Sequence, residues 1–195
     1  TGRLAEAFAE THPWVHVEHR PGKQGLGVAY RFAYAWALAR PYERILQMDC
    51  DFSHDPADLP RLAGLLERFD AVVGSRRVPG GGCEGWSWYR NALSRGGSLY
   101  ARVVLSSPVR DLTAGFKAFR REALARLPLD ELRADGYGFQ VEVTSHLVGL
   151  GCRVHETPIR FVDRARGKSK MSTAIMLEAV GMVWRIRHEM RRRYR

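Results

Sequence analysis

What this chain has little of narrows the reading first. It holds three cysteines, Cys50, Cys83 and Cys152, without metal-ligand spacing. Their odd number argues against a disulfide scaffold and for a reducing compartment. It has no uninterrupted apolar run of about eighteen residues, so no segment reads as a membrane span. Nothing at its start reads as a signal peptide. Internal repeats are absent, and no linker is long enough to divide 195 residues. That leaves one well-buried domain with at most a small appendage. Negative charge is scarce too: 31 Lys and Arg stand against 21 Asp and Glu, a formal net charge of +10. The balance points to a polyanionic partner. Nucleic acid, an acidic membrane surface and phosphorylated small substrates all satisfy it.

The chain is organised around Arg44 to Pro56. Ile45 to Met48 is a short apolar run that reads as a buried strand. It ends in Asp49 and Asp51. In an extended chain residues i and i+2 point the same way, so the two carboxylates can meet one point. Hard oxygen donors of this kind suit Mg²⁺ or Mn²⁺ completed by substrate phosphates. The C-terminal edge of an α/β sheet is also where ligands sit. The competing reading is a turn in which one aspartate caps the next helix.

Around this strand, helices and strands alternate. Thr1 to Glu10 reads as helix and Trp14 to Val17 as a short strand. Arg20-Pro21-Gly22-Lys23-Gln24-Gly25-Leu26-Gly27 is a glycine loop entering a helix over Val28 to Arg40. Such a loop either approaches phosphate through its backbone N–H groups or merely turns the chain. Asp55-Pro56 starts another helix, to about Arg68. Ala71 to Arg77 is a second apolar strand, ending in the paired arginines Arg76 and Arg77. The alternation predicts a parallel sheet whose two strands finish at one edge, bringing these arginines near the aspartates. Val78 to Trp88, rich in glycine, reads as a mobile loop. A helix over Arg90 to Leu105, a turn-to-strand unit over Asp111 to Phe119 and a helix from Gly136 to about Leu150 follow. Val154 to Val162 is a strand whose Pro158 marks an edge or a bulge. After a polar run from Asp163 to Lys170, a long helix closes the chain.

Six motifs in register carry a resemblance. They are Arg20-Pro21-Gly22-Lys23-x-Gly25-Leu26-Gly27, Met48-Asp49-x-Asp51-x-Ser53-His54, Gly74-Ser75-Arg76, Asp111-Leu112-Thr113-x-Gly115-Phe116, Gly136-Tyr137-x-Phe139-Gln140-x-Glu142, and the run from Pro158-Ile159 through Asp163-Arg164 and Gly167 to Ser169-Lys170. Together they resemble family-2 glycosyltransferases of the GT-A fold, most closely the polyprenol (dolichyl) phosphate mannose synthases. The resemblance implies an α/β fold, a Rossmann-like sheet with flanking helices over residues 1–170. Residues 171–195 would form an amphipathic basic helix. It also implies that the family's first strands precede this chain, which leaves the sheet short of two strands and the chain alone inactive.

The implied reaction moves a hexose, mannose from GDP-mannose, onto a polyprenyl phosphate with inversion. The alternatives are a glucose or aminosugar transferase of the same fold, a non-catalytic module that keeps the fold alone, or a basic nucleic-acid-binding module. The last leaves the aspartates unexplained, and the resemblance implies no nucleic-acid partner. It assigns Asp49 and Asp51, with Ser53, to a Mg²⁺ or Mn²⁺ ion, and places Arg76 and Arg164 on the phosphates. Substrate contacts are implied for Lys23, Gly25, Arg90, Asp111, Thr113, Gln140, Glu142, Ser169 and Lys170. For Asp111 and Thr113 the other reading is a capped turn, and for Glu142 a structural role. Because the acceptor is a lipid, a cytoplasmic protein peripheral to the membrane is expected. Its last helix would carry Ile175, Met176, Ala179, Met182, Val183, Ile186 and Met190 as a lipid-facing stripe flanked by arginines; the other reading packs the helix on the sheet with Met182 to Ile186 as core.

Overall fold

The computed structural model describes residues 1–163 and 173–194, with side chains from 1–163 and 180–194. Helix α1 (Gly2–Thr11) and α2 (Leu26–Leu38) precede strand β1 (Arg44–Gln47). A 3-10 turn (Pro56–Asp58) leads into α3 (Leu59–Leu65) and β2 (Ala71–Ser75). Asp55 opens that turn, its carboxylate accepting from Ala57 N–H at 2.9 Å with Pro56 at the first position. Then come β3 (Gly82–Glu84), α4 (Trp88–Leu105), β4 (Lys117–Arg120), α5 (Arg121–Ala125) and α6 (Tyr137–Gly149). Strands β5 (Val154–Pro158) and β6 (Arg160–Val162) and helix α7 (Thr173–Arg193) complete the order.

The main sheet runs β1-β4-β2-β5. It is mixed rather than parallel: β4 lies antiparallel between β1 and β2, while β2 and β5 are parallel. The cause is where β4 starts. The turn from Asp111 to Gly115 lies at the edge where β1 and β2 end, so β4 enters there and runs the other way. The expected convergence survives this correction. Asp49, Arg76 and Asp111 all come to one edge.

Alternation within the strands divides the core. Phe116 and Ala118 pack with Leu62, Leu66, Val72 and Ile159 beneath α3. Phe119 packs on the other face with Tyr34, Ile45, Leu124, Phe139 and Leu147. Pro158 ends β5 on the sheet's edge, where a missing N–H is tolerated.

Three expectations are corrected. Residues 14–17 form no strand, and none of the described residues pairs with them. The glycine-rich segment is not a free loop, because Gly82–Glu84 pairs in parallel with Arg160–Val162. The lipid-facing stripe is core at its C-terminal end. Val183 and Ile186 are buried with Val104, Leu112 and Val141, and Met182 and Met190 pack against the same cluster. The side chains of Ile175, Met176 and Ala179 lie outside the described residues. Among those described, no helix is long and apolar enough to cross a membrane.

Candidate functional site

Strand β1 stops at Gln47, so the two aspartates sit on the bend after it rather than on extended chain. Asp49 follows the strand end. Its Oδ1 accepts from the Tyr30 hydroxyl at 3.3 Å, and burial and then this carboxylate push the Tyr30 pKa up. A Cβ on Gly115 would stand 3.2 Å from Asp49 Oδ2, so glycine lets β4's entry turn approach the carboxylate. Asp51 accepts from the Ser53 N–H at 3.1 Å and from the Ser53 hydroxyl. Between them Phe52 has a left-handed φ of 63° with its ring 89% exposed, a costly arrangement for a bulky residue. The bend is therefore held in shape by contacts around it. Ser53, offered as a metal ligand, is fully buried and turned onto Asp51.

Behind the bend lies His54, packed on Phe116 and Phe161 with ring centroids 5.1 and 5.2 Å away. Burial lowers its pKa, while the charges of Asp49, Arg76, Asp51 and Asp111 all act on it. The two aspartates and the Arg76–Asp111 pair thus all bear on one imidazole.

Arg76 is engaged within the protein. Its Nε and Nη2 donate to Asp111 Oδ2 and Oδ1 at 2.8 and 2.7 Å, and its backbone N–H donates to Oδ2 at 2.9 Å. Nη2 also donates to Thr113 Oγ1 at 2.9 Å, and the Thr113 hydroxyl donates to Asp111 Oδ1 at 3.2 Å. Burial alone would raise Asp111, but the Arg76 charge and these bonds hold it below the usual carboxylate range. Phosphate contact by Arg76 and acceptor contact by Asp111 and Thr113 stand as proposals beside this bracing role. The three form a buried fork-to-fork pair.

Gln140 has a similar task. Its Oε1 accepts from Gln47 Nε2 at 3.0 Å and from Lys117 Nζ at 2.7 Å, and its backbone carbonyl accepts from Nζ at 3.1 Å. Gln47 Nε2 also donates to Gly115 O at 2.6 Å. This network ties α6 and β4 to β1 directly beneath Asp49. Two residues on, the buried carboxylate of Glu142 accepts from the Arg133 and Ala134 N–H groups at 3.2 and 3.0 Å. Sugar contact by Gln140 or Glu142 stands as a proposal beside these structural roles.

Lys117 is wholly buried, and desolvation brings its pKa from 10.5 down to about 7 against the pull of Asp111. The unfolded chain keeps this proton up to the ordinary lysine pKa, so the folded state loses stability as pH falls from about 10.5 to about 7. Below that window the cost is constant. It amounts to roughly 4–5 kcal/mol. The urea midpoint of the wild type should therefore rise between pH 7 and 10, and Lys117→Met should remove that rise. Parallel curves for the two proteins would contradict it.

The glycine loop also differs from the phosphate-cradle reading. Gly25 has φ +94°, and a Cβ there would collide with Asp135. Asp135 accepts from Gly27 N–H at 2.7 Å and from Leu26 N–H, so a carboxylate already occupies the N-terminus of α2. Lys23 is exposed on the loop. Arg90 reaches across to Asp163 at 2.7 Å and lies over the Trp86 ring. Arg164, Ser169 and Lys170 lie outside the described residues.

Residues 1–127 match the pattern described as glycosyl transferase family 2. The chain belongs to this family. It is 46% identical over 185 residues to an undecaprenyl-phosphate mannosyltransferase of Micrococcus luteus, covering 95% of this chain and 76% of that protein. It is 41% identical over 191 residues to a polyprenol monophosphomannose synthase of Mycolicibacterium smegmatis, covering 96% and 72%. Among solved structures it resembles glucosyl-3-phosphoglycerate synthase from Mycobacterium tuberculosis in complex with Mn²⁺, UDP-glucose and phosphoglyceric acid. The TM-score is 0.55 and the identity 20%, over 92% of this chain and 59% of that one. The chain thus spans under two thirds of that solved relative's length, and at this identity the likeness bears out the α/β GT-A fold alone. For this family-2 transferase, sequence reasoning missed Lys117 and Gln47. The available signal was alternation, since Lys117 shares the inward face of β4 with Phe119.

Proposed function

We propose that this family-2 transferase moves mannose from GDP-mannose to a polyprenyl phosphate with inversion at the anomeric carbon. The observation that carries the reading is the 46% and 41% identity, over nearly the whole chain, to proteins named for mannose transfer to such lipids. The carboxylate bend at the sheet edge supports it. The acceptor phosphate oxygen forms a bond to the anomeric carbon as the bond to the donor diphosphate breaks, and the electron pair leaves with the diphosphate. The acceptor is already ionised, so no general base is needed, and positioning with charge neutralisation supplies the rate.

Asp49 and Asp51 give a hard oxygen set that fits Mg²⁺ or Mn²⁺, and Gly115 has no Cβ to crowd Asp49 Oδ2. A bound ion would neutralise charge developing on the leaving diphosphate. The chain's own residues do the remaining work. Tyr30 and the Gln47–Gln140–Lys117 network fix where Asp49 stands, and Ser53 fixes Asp51. Arg164, Ser169 and Lys170 complete the proposed substrate contacts on the strength of the motif resemblance. Because the acceptor is carried by a membrane, we place the protein at the cytoplasmic membrane face. Incubation of the full-length protein with labelled GDP-mannose, Mg²⁺ and polyprenyl phosphate should yield a labelled lipid extractable into organic solvent. Equal transfer from GDP-glucose, or none from GDP-mannose, would refute the assignment.

A further inference from the structure

Most arginines with charged partners here are neatly matched: Arg76 with Asp111, Arg90 with Asp163, Arg153 with Asp70, Arg193 with Glu131. One group is not. Arg95 and Arg102 project from α4, Arg77 follows β2, and Arg110 precedes the turn into β4. With Ser98 and Leu99 these four arginines line a cleft of about 220 Å³. Among the described residues, none of the four is paired with a carboxylate. Arg77 donates to Asn91 Oδ1 at 3.3 Å and Ser94 Oγ at 2.6 Å, and Arg102 Nε donates to Ser107 O at 3.4 Å. Glu156, the nearby acid, is taken by the backbone N–H groups of Arg110 and Asp111.

Two further polar atoms of lining residues are unsatisfied. Ser98 is 3% exposed, and its Oγ has no hydrogen-bond partner. Arg77 Nε is likewise buried and unpartnered. Buried donors without partners are costly, and four guanidinium groups around one space repel each other. An anion rich in acceptor oxygens relieves the repulsion, and rotation of the hydroxyl of Ser98, which lines the cleft, would bring its O–H to that anion. Guanidinium forks match the tetrahedral oxygens of phosphate, and the volume admits a diphosphate.

We propose that this cleft on α4 is a phosphate-binding site separate from the Asp49–Asp51 bend. Its lining shares no residue with that bend, and the neighbouring Arg76 is turned away onto Asp111. Leu99 on its wall and Val103 one turn further are 59% and 67% exposed. An apolar flank beside a phosphate cleft suits a phosphate carried on a lipid, and the same chemistry serves a soluble diphosphate.

The test needs no divalent ion and no transfer assay, so it fails or succeeds independently of the proposed reaction. Titration of the full chain with inorganic diphosphate in the presence of a chelator should show saturable binding. Arg95→Gln with Arg110→Gln should weaken it more than about tenfold, since charge-assisted bonds are lost. Ser98→Ala should weaken it about fivefold, the value of one hydrogen bond. Asp49→Asn and the off-cleft change Arg192→Gln should leave it unchanged. Sedimentation with phosphatidylcholine vesicles containing phosphatidic acid then identifies the source. Binding sensitive to the same changes assigns a lipid headgroup, and diphosphate binding without vesicle binding assigns a soluble anion. Absence of both would overturn the proposal. So would diphosphate affinity that ignores Ser98→Ala and falls equally with Arg192→Gln, because it would then follow net charge alone.

Discussion

Asp49→Asn and Asp51→Asn should each lower kcat/KM for mannose transfer by about 10²–10³, or roughly 3–4 kcal/mol, with the melting temperature little changed. The size follows from the chemistry. One further negative charge develops on the leaving diphosphate as its bond to the anomeric carbon breaks, and the carboxylate pair would hold the cation that offsets it. The small effect on folding follows from the contacts. Asparagine keeps an acceptor oxygen for the Tyr30 hydroxyl at position 49 and for the Ser53 N–H at position 51. Raising Mn²⁺ should recover part of the loss, since a weakened site refills by mass action. Activity within tenfold of wild type in both variants, at any Mn²⁺ concentration, would remove the aspartates from the chemistry.

The elements legible in the sequence were those whose signal is local. Apolar runs marked β1 and β2, alternation from Phe116 to Phe119 marked β4, and the family motifs arrived in register. What local pattern could not show was how polar groups are committed across the chain. Arg76 reads as a free cation beside a glycine loop, yet its partner Asp111 is 35 residues on. The amides at the start of α2 look ready for phosphate, yet Asp135, 108 residues beyond Gly27, takes them. Gln140 looks like a sugar contact, yet Gln47 lies 93 residues before it. The same limit hid β3. Gly82-Cys83-Glu84 has weak strand preference, and its pairing with β6 depends on a chain segment nearly eighty residues later. Conversely, residues 14–17 have the strand pattern without a neighbour to pair with among the described residues, and a lone strand does not persist.

Asp111→Ala should cost about 3–5 kcal/mol of stability, because it leaves the Arg76 guanidinium buried and uncompensated. Arg76 is 7% exposed, and three of its N–H groups converge on that one carboxylate. Arg76→Met should cost a comparable amount by orphaning Asp111. The double change Arg76→Met with Asp111→Leu should cost much less than the two summed, since removing both charges also removes both desolvation penalties. Acid sharpens the comparison. The Asp111 pKa is depressed in the folded state, so its contribution is present above the ordinary carboxylate pKa. It is lost as pH falls through the depressed value, and the double variant should lack that part of the acid transition. Urea unfolding of the four proteins at neutral and acid pH measures each quantity. Additive losses would mean that the pair does not act as a unit. Transfer activity in the folded double variant separates the two roles open to Arg76: near-wild-type rates make the pair a brace for the turn that carries Gly115 against Asp49, whereas lost activity with a sound fold would return Arg76 to the phosphates.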